Sequence, residues 1–178
     1  MGDVTMEMVT LTVDGIEVTV PKGTLVVDAA KKAGIEIPVF CSHSKLEPIG
    51  ACRMCLVRVE KSPKLVTSCT LAAADGMVVT TNSEEVARAR AGVLEFLLSN
   101  HTLDCPHCDK GGECDLQDHV YDYGAPCGRF EGPKIVRTKK PMPPIIEAVM
   151  SRCVQCARCV RYCDEVMGVG ALRMTNRG

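Results

Sequence analysis

An α+β fold is predicted by three features of the sequence. Residues 8–20, MVTLTVDGIEVTV, alternate apolar and polar side chains on either side of Asp14-Gly15, a strong hairpin signal. Helical spacing follows in residues 24–34 and again after Met77-Val78-Val79. The third feature is the distribution of twelve cysteines, which fall into separate groups rather than being scattered. That number is far too high for an ordinary intracellular domain of 178 residues, and it reads as disulfides or as metal ligands.

The start of the chain, MGDVTMEMVTLTV, has no basic segment followed by an apolar run. Neither a signal peptide nor a membrane span is read there, so a cytosolic, reducing compartment is expected and disulfides are disfavoured. A net charge of −1 argues against a nucleic-acid binder driven by phosphate contacts. Aromatic residues make up 3% of the chain and tryptophan is absent, so large core-filling side chains are scarce. Bound metal could supply cohesion instead, because an ion held only by the folded chain adds its binding free energy to folding.

In chain order, the hairpin ends at Pro21-Lys22-Gly23, and Thr24 is expected to cap a short helix that stops at Gly34. Cys41, Cys52, Cys55 and Cys69 follow, separated by ten, two and thirteen residues. Residues 48–51, PIGA, are small and flexible enough to wrap a metal core, and CLVRVE returns to strand-like alternation. Four thiolates with one Cys-x-x-Cys pair suit zinc or a [2Fe-2S] centre, and the spacing alone does not separate them. His43 is read as a surface group or a neighbour of the ligands.

A second helix is expected from TTNSEEVARARAGVLEFLLSN, with Asn82 and Glu85 as a capping box. Val86, Ala89, Val93 and Leu97 would line one face, and Ala87, Arg90, Leu94 and Leu98 the adjacent one. Its acid and base pairs read as solvated surface. The helix packs as a connector and delivers His101 just past its end. His101, Cys105, Cys108 and Cys114 then lie within fourteen residues, with Gly111 and Gly112 free to bend around a bulky core. Three thiols and an imidazole suit structural zinc or an iron-sulfur cubane. His107 is a spare, because one loop could hardly present it together with Cys105 and Cys108.

Residues 119–150 are rich in glycine and proline, and the basic stretch KIVRTKKPMPP reads as a solvated loop. Cys127 fits none of the spacings and is read as structural. The last motif, RCVQCARCVRYC, supplies Cys153, Cys156, Cys159 and Cys163.

These motifs carry a resemblance. Hairpin, helix and cysteine loop over residues 8–80 resemble the β-grasp fold of plant-type ferredoxins. The ten-residue gap is the form found in the iron-sulfur subunit of respiratory complex I and its hydrogenase relatives. DCPHCDKGGECDLQD is similar to the one-histidine, three-cysteine [4Fe-4S] motif of that same complex I family. RCVQCARCVRYC resembles the bacterial ferredoxin run, whose first three cysteines hold one [4Fe-4S] cluster while the fourth serves another.

The resemblance implies four ligands for a [2Fe-2S] cluster, namely Cys41, Cys52, Cys55 and Cys69. It implies His101, Cys105, Cys108 and Cys114 for a histidine-ligated [4Fe-4S] cluster, in which imidazole in place of thiolate raises the potential. For a further [4Fe-4S] cluster it implies Cys153, Cys156 and Cys159, with a fourth ligand missing and Cys163 open. The organisation expected is a β-grasp domain over 1–82, a helix with the histidine-ligated cluster over 83–122, a linker over 123–144 and a partial ferredoxin-type domain over 145–178. The family continues well past this length, so a fragment is expected.

No Gly-rich nucleotide turn or catalytic triad is present in the sequence, so the expected role is electron transfer with no catalytic residue. Electrons from NADH would arrive through a flavoprotein partner and leave toward quinone through other peripheral-arm subunits. The chain would reside in the cytoplasm, attached to the membrane only through the complex, with no nucleic acid bound. The rival readings are a diaphorase subunit of a bidirectional nickel-iron hydrogenase or the N-terminal part of an iron-only hydrogenase. A third, of another class, is a zinc-binding interaction module.

Overall fold

The computed structural model describes residues 7–137, 140–141, 144–145 and 147–175. Strands β1 (Met8–Val13) and β2 (Ile16–Pro21) form the expected hairpin, with Val13 opposite Ile16 across Asp14-Gly15. Both turn residues have positive φ, 47° and 85°, which is the backbone that a two-residue turn of this hand requires. On β1 the alternation holds strictly: Val9, Leu11 and Val13 are buried and the residues between them are not. β2 buries only Val20, as befits a strand at the sheet edge.

Helix α1 (Val26–Lys32) packs Val26, Ala29 and Ala30 onto the sheet. Thr24 does not cap it. Its hydroxyl instead donates to the Pro21 carbonyl at 2.7 Å, tightening the preceding turn, and Leu25 occupies the cap position without a side-chain bond. The predicted stop at Gly34 holds, since its φ of 78° and its amide bond to Lys31 close the last turn.

β3 (Leu56–Val59), β4 (Val66–Thr67) and β5 (Met77–Thr80) complete a five-stranded sheet in the order β2-β1-β5-β3-β4, in which β5 runs parallel to β1. The core between sheet and α1 joins Leu11, Val13, Val20, Val57 and Val79 with two cysteines, Cys55 and Cys69. Asp14 locks the hairpin turn to the far end of β5. Its carboxylate accepts from the Thr81 amide at 2.7 Å and from the Thr81 hydroxyl.

Helix α2 (Glu84–Asn100) begins one residue later than a cap at Asn82 would place it. Ser83 is the cap, accepting from the Val86 amide at 3.3 Å, so the Asn82–Glu85 capping box does not form. The buried face is Val86, Arg90 and Leu94, drawn from both predicted stripes. Glu84 and Arg88 are solvated as expected, but Arg90 is not. Its guanidinium reaches the Leu56 carbonyl at 3.3 Å and lies 5.3 Å from the Tyr123 ring.

Helix α3 (Asp115–Tyr123) packs back on α2. The segment after it, expected to be a linker or wrapping segment, is exposed over residues 125–137 and runs along α2, to which it is hydrogen-bonded. Arg129 holds Glu95 through a forked pair of bonds, both from its Nε, at 3.0 Å. Lys134 donates to the Leu98 and His101 carbonyls at 2.8 Å each, which satisfies exposed acceptors at the helix C-terminus. Within the basic run, Thr138, Lys139, Met142 and Pro143 lie outside the described residues. A short pair, β6 (Lys140–Pro141) with β7 (Glu147–Ala148), leads into the last cysteine loop. Helix α4 (Arg158–Arg161) continues as a π turn over Tyr162–Val166.

Replacing Asp14 by alanine removes both bonds to Thr81 and is expected to cost about 2 kcal/mol in urea unfolding, because charged acceptors contribute more than neutral ones. Asp14→Asn, which keeps the left-handed turn, should cost less; equal losses would refute the role assigned to the carboxylate. The Arg129 hydrogen bonds hold the Glu95 carboxyl below its usual range. A carboxylate depressed in this way contributes above its unfolded pKa and loses the contribution as pH falls through the folded value. The Arg129 Nε proton should therefore be protected from exchange at neutral pH, lose protection in acid, and be unprotected throughout in Glu95→Gln.

Candidate metal centres

The first cysteine group is built into the sheet core. Cys41, Cys55 and Cys69 are fully buried and Cys52 is half-buried. Cys52 and Cys55 bracket a reversal in which Arg53 takes a φ of 61°. Gly50, at φ 59°, passes so close to Thr70 that an added Cβ would lie 3.1 Å from its methyl group. The four thiols lie close enough to perturb one another. Bonds from Cys52 and then Cys69 pull Cys41 far below the ordinary thiol range, against the opposing effect of burial. Cys55 is lowered to about 6, first by its bond with Cys69. Cys52 and Cys69 are pushed upward, in each case first by Cys41. Cationic iron would satisfy all four as thiolates.

The second group lies where α2 ends and α3 begins. His101 is the C-cap of α2, Cys105 opens a 3-10 turn over Cys105–His107, and Cys114 is the N-cap of α3. All four predicted members, with Cys108, line one cavity of about 350 Å³. Gly111 is required here, because a Cβ would sit 2.6 Å from the Cys105 carbonyl oxygen and 3.1 Å from that of Cys108. Burial first, and Lys134 second, push the His101 imidazole down, which favours the neutral form that ligates metal. His107 presents its backbone carbonyl to Arg152. Cys127, an exposed thiol, borders the same cavity.

The third group is a loop that reverses twice without glycine. Gln155 and Ala157 have φ of 54° and 56°, and the Gln155 amide donates to the Cys153 sulfur at 3.3 Å. Cys153 and Cys159 are exposed, while Cys156 is half-buried. Cys163 lies half-buried on the π turn. Cys153 borders a small cavity of about 130 Å³ that His101 also borders.

One apolar cluster joins the groups. Phe40, Met54, Leu94 and Leu116 are its buried members, and Cys52, Cys114 and Cys156 pack against it, one from each group. The third loop is also bonded to the other two. Arg152 donates to the Asp104 carboxylate at 2.6 Å and to the His107 carbonyl at 3.1 Å. Arg158 and Arg161 donate to the Ser42 and Cys41 carbonyls at 2.9 and 2.8 Å. Sequence reasoning missed these arginines and Lys134. The available signal was the alternation of Arg152, Arg158 and Arg161 with the cysteines themselves.

Donor sets of four thiols, or of three thiols and an imidazole, fit iron-sulfur groups. Among the described residues, no three His, Cys, Asp or Glu side chains are gathered so as to hold one metal ion.

Comparison with known proteins agrees. Residues 6–84 match the family model described as a 2Fe-2S iron-sulfur cluster binding domain. Residues 90–126 match the NADH-ubiquinone oxidoreductase-G iron-sulfur binding region, and residues 143–178 the ferredoxin-like domain of NADH-quinone oxidoreductase subunit 3. The chain is 52% identical to the NADH-ubiquinone oxidoreductase 75 kDa subunit of Reclinomonas americana, over 96% of this chain and 25% of that protein. It is 51% identical to the mitochondrial NADH dehydrogenase [ubiquinone] iron-sulfur protein 1 of Solanum tuberosum, over 97% of this chain and 23% of that protein. A chain in the crystal structure of an NAD+-reducing [NiFe]-hydrogenase in the H2-reduced state superposes with a TM-score of 0.85 at 33% identity, covering 96% of this chain and 71% of that one. The chain spans about a quarter of the length of the curated relatives it matches. With 2Fe-2S and 4Fe-4S domains in this order and identity of this level, it belongs to the family of NADH-quinone oxidoreductase iron-sulfur subunits that includes the 75 kDa subunit.

Proposed function

We propose that this chain is the electron-relaying part of the iron-sulfur subunit of an NADH:quinone oxidoreductase. It receives electrons from NADH through a flavoprotein subunit and passes them toward quinone. The observation that carries this reading is the apolar cluster touched by one cysteine of every group. The proposed ligands are Cys41, Cys52, Cys55 and Cys69 for a [2Fe-2S] cluster, and His101, Cys105, Cys108 and Cys114 for a [4Fe-4S] cluster. Cys153, Cys156 and Cys159 are proposed for a second [4Fe-4S] cluster. The corresponding units are 1–82, 83–122 and 145–178, with 123–144 joining the last two.

When bound, the clusters supply reversible one-electron uptake. The chain's own residues place and insulate them. Phe40, Met54, Leu94 and Leu116 exclude water from the space between the groups. Arg152 fixes the third loop to the second, and Thr102 adds its amide and hydroxyl bonds to the Ser151 carbonyl at 3.1 and 3.2 Å. No helix among the described residues is long and apolar enough to cross a membrane, and attachment through partner subunits of the peripheral arm accords with that. The hydrogenase likeness favours a second reading, the diaphorase subunit of a nickel-iron hydrogenase. Reduction by NADH in a complex that transfers electrons to quinone but neither consumes nor evolves hydrogen separates the two.

Protein purified without oxygen should contain iron and acid-labile sulfide. After reduction it should give electron paramagnetic resonance signals from one two-iron and at least one four-iron centre; zinc without sulfide would end the proposal. Cys55→Ala should remove about two irons and the two-iron signal while leaving the four-iron signal. Arg152→Ala should speed amide exchange across residues 102–109 and leave β1 and β5 unchanged. Unaltered exchange would mean that the Arg152 bonds do not hold the two loops together.

A further inference from the structure

We propose that Arg161 raises the reduction potential of the first cluster by holding a buried positive charge against the Cys41 loop. This rests on the reading of Cys41, Cys52, Cys55 and Cys69 as that cluster's ligands. The Arg161 side chain is 9% exposed, and its Nη1 donates to the Cys41 carbonyl oxygen at 2.8 Å across 120 residues of sequence. Its Nε and Nη2 are buried without a hydrogen-bond partner among the described residues. The nearest carboxylate, Glu165, approaches only one edge, with Oε1 at 3.4 Å from Nε. The other oxygen of Glu165 accepts from the Glu47 amide at 2.8 Å.

A buried guanidinium ordinarily ends in a forked, fully satisfied pair with a carboxylate. Arg161 does not, and its one hydrogen bond, from Nη1, is to a loop whose metal-loaded form carries thiolate charge. Reduction adds one further negative charge there. A fixed cation at short range in a low-dielectric interior favours the reduced state, so the potential rises. Arg158, on the same face one turn earlier, bonds the next carbonyl, Ser42 O. It is 33% exposed and lies 3.9 Å from Asp115, so solvent and a second acid weaken its share. Arg161 also sits two residues beyond Cys159, so its charge belongs to the third loop and acts on the first.

The test is a redox titration of the intact chain loaded with clusters, read by electron paramagnetic resonance with dithionite as the electron donor. Arg161→Gln should make the two-iron centre at least tenfold harder to reduce in its one-electron equilibrium constant, about 59 mV. The histidine-ligated four-iron centre should stay in place. Arg161→Lys, which keeps the charge, should recover most of the wild-type potential. An unchanged potential in Arg161→Gln, or equal drops in both variants, overturns the proposal. Should Arg161→Gln fail to retain the cluster, Glu165→Gln decides: removing the opposing carboxylate should raise the potential, and a fall or no change overturns the proposal. Wild-type protein without a two-iron signal would instead overturn the ligand reading beneath it.

Discussion

The structure depends on bringing twelve polarisable, ionisable sulfur atoms into a small chain without exposing the space between them to water. Phe40, Met54, Leu94 and Leu116 provide that dry space. Each comes from a segment adjoining a cysteine group: Phe40 precedes Cys41, Met54 precedes Cys55, Leu94 lies on the helix that ends at His101, and Leu116 opens the helix capped by Cys114. The cysteine spacing therefore also places the apolar cluster, against which Cys52, Cys114 and Cys156 pack. Sparse aromatic content is no handicap, because one phenylalanine and one methionine fill the junction and the sulfurs themselves complete its wall.

Charge is arranged around this apolar centre. Crowded thiolates repel one another, and a chain of net charge −1 must place cations where that repulsion is greatest. Lys134 sits at the carbonyl of His101, while Arg152, Arg158 and Arg161 project from the third cysteine loop onto the backbone of the other two. All four donate to main-chain carbonyls. A bond of that kind orients the charge while leaving cysteine side chains free for metal.

The elements that could be read from the sequence are those whose determinants are local. Asp14-Gly15 encodes the hairpin because it is one of the few short pairs that suit two consecutive positive φ values. Gly34 ends α1 for the same kind of reason. The cysteine spacings were equally legible, since a loop must present ligands within reach of one core. Competition between neighbours was not legible: Ser83 and Asn82 are both good caps, and the Thr24 hydroxyl donates to the Pro21 carbonyl rather than accepting from an amide of the helix. Distant partners were still less so. Arg90 fell on an apolar stripe, but its partners Leu56 and Tyr123 could not be read from its helix, and the linker's attachments to Glu95 and the end of α2 reach more than thirty residues back. Neither relation leaves a period in the sequence.

The bonds from Arg158 and Arg161 to residues 41 and 42 also order the ways in which this protein can come apart. They close loops of 116 and 120 residues, whereas the sheet and the α2–α3 pair are assembled from much nearer neighbours. Long closures recover the least per bond, and α4 is a single four-residue turn with little packing of its own. Thermal opening therefore begins at this latch, parting the third loop from the Cys41 segment while Arg152 and Thr102 still tie it to the second, so oxidative damage reaches the exposed Cys153 and Cys159 before the buried Cys41, Cys55 and Cys69.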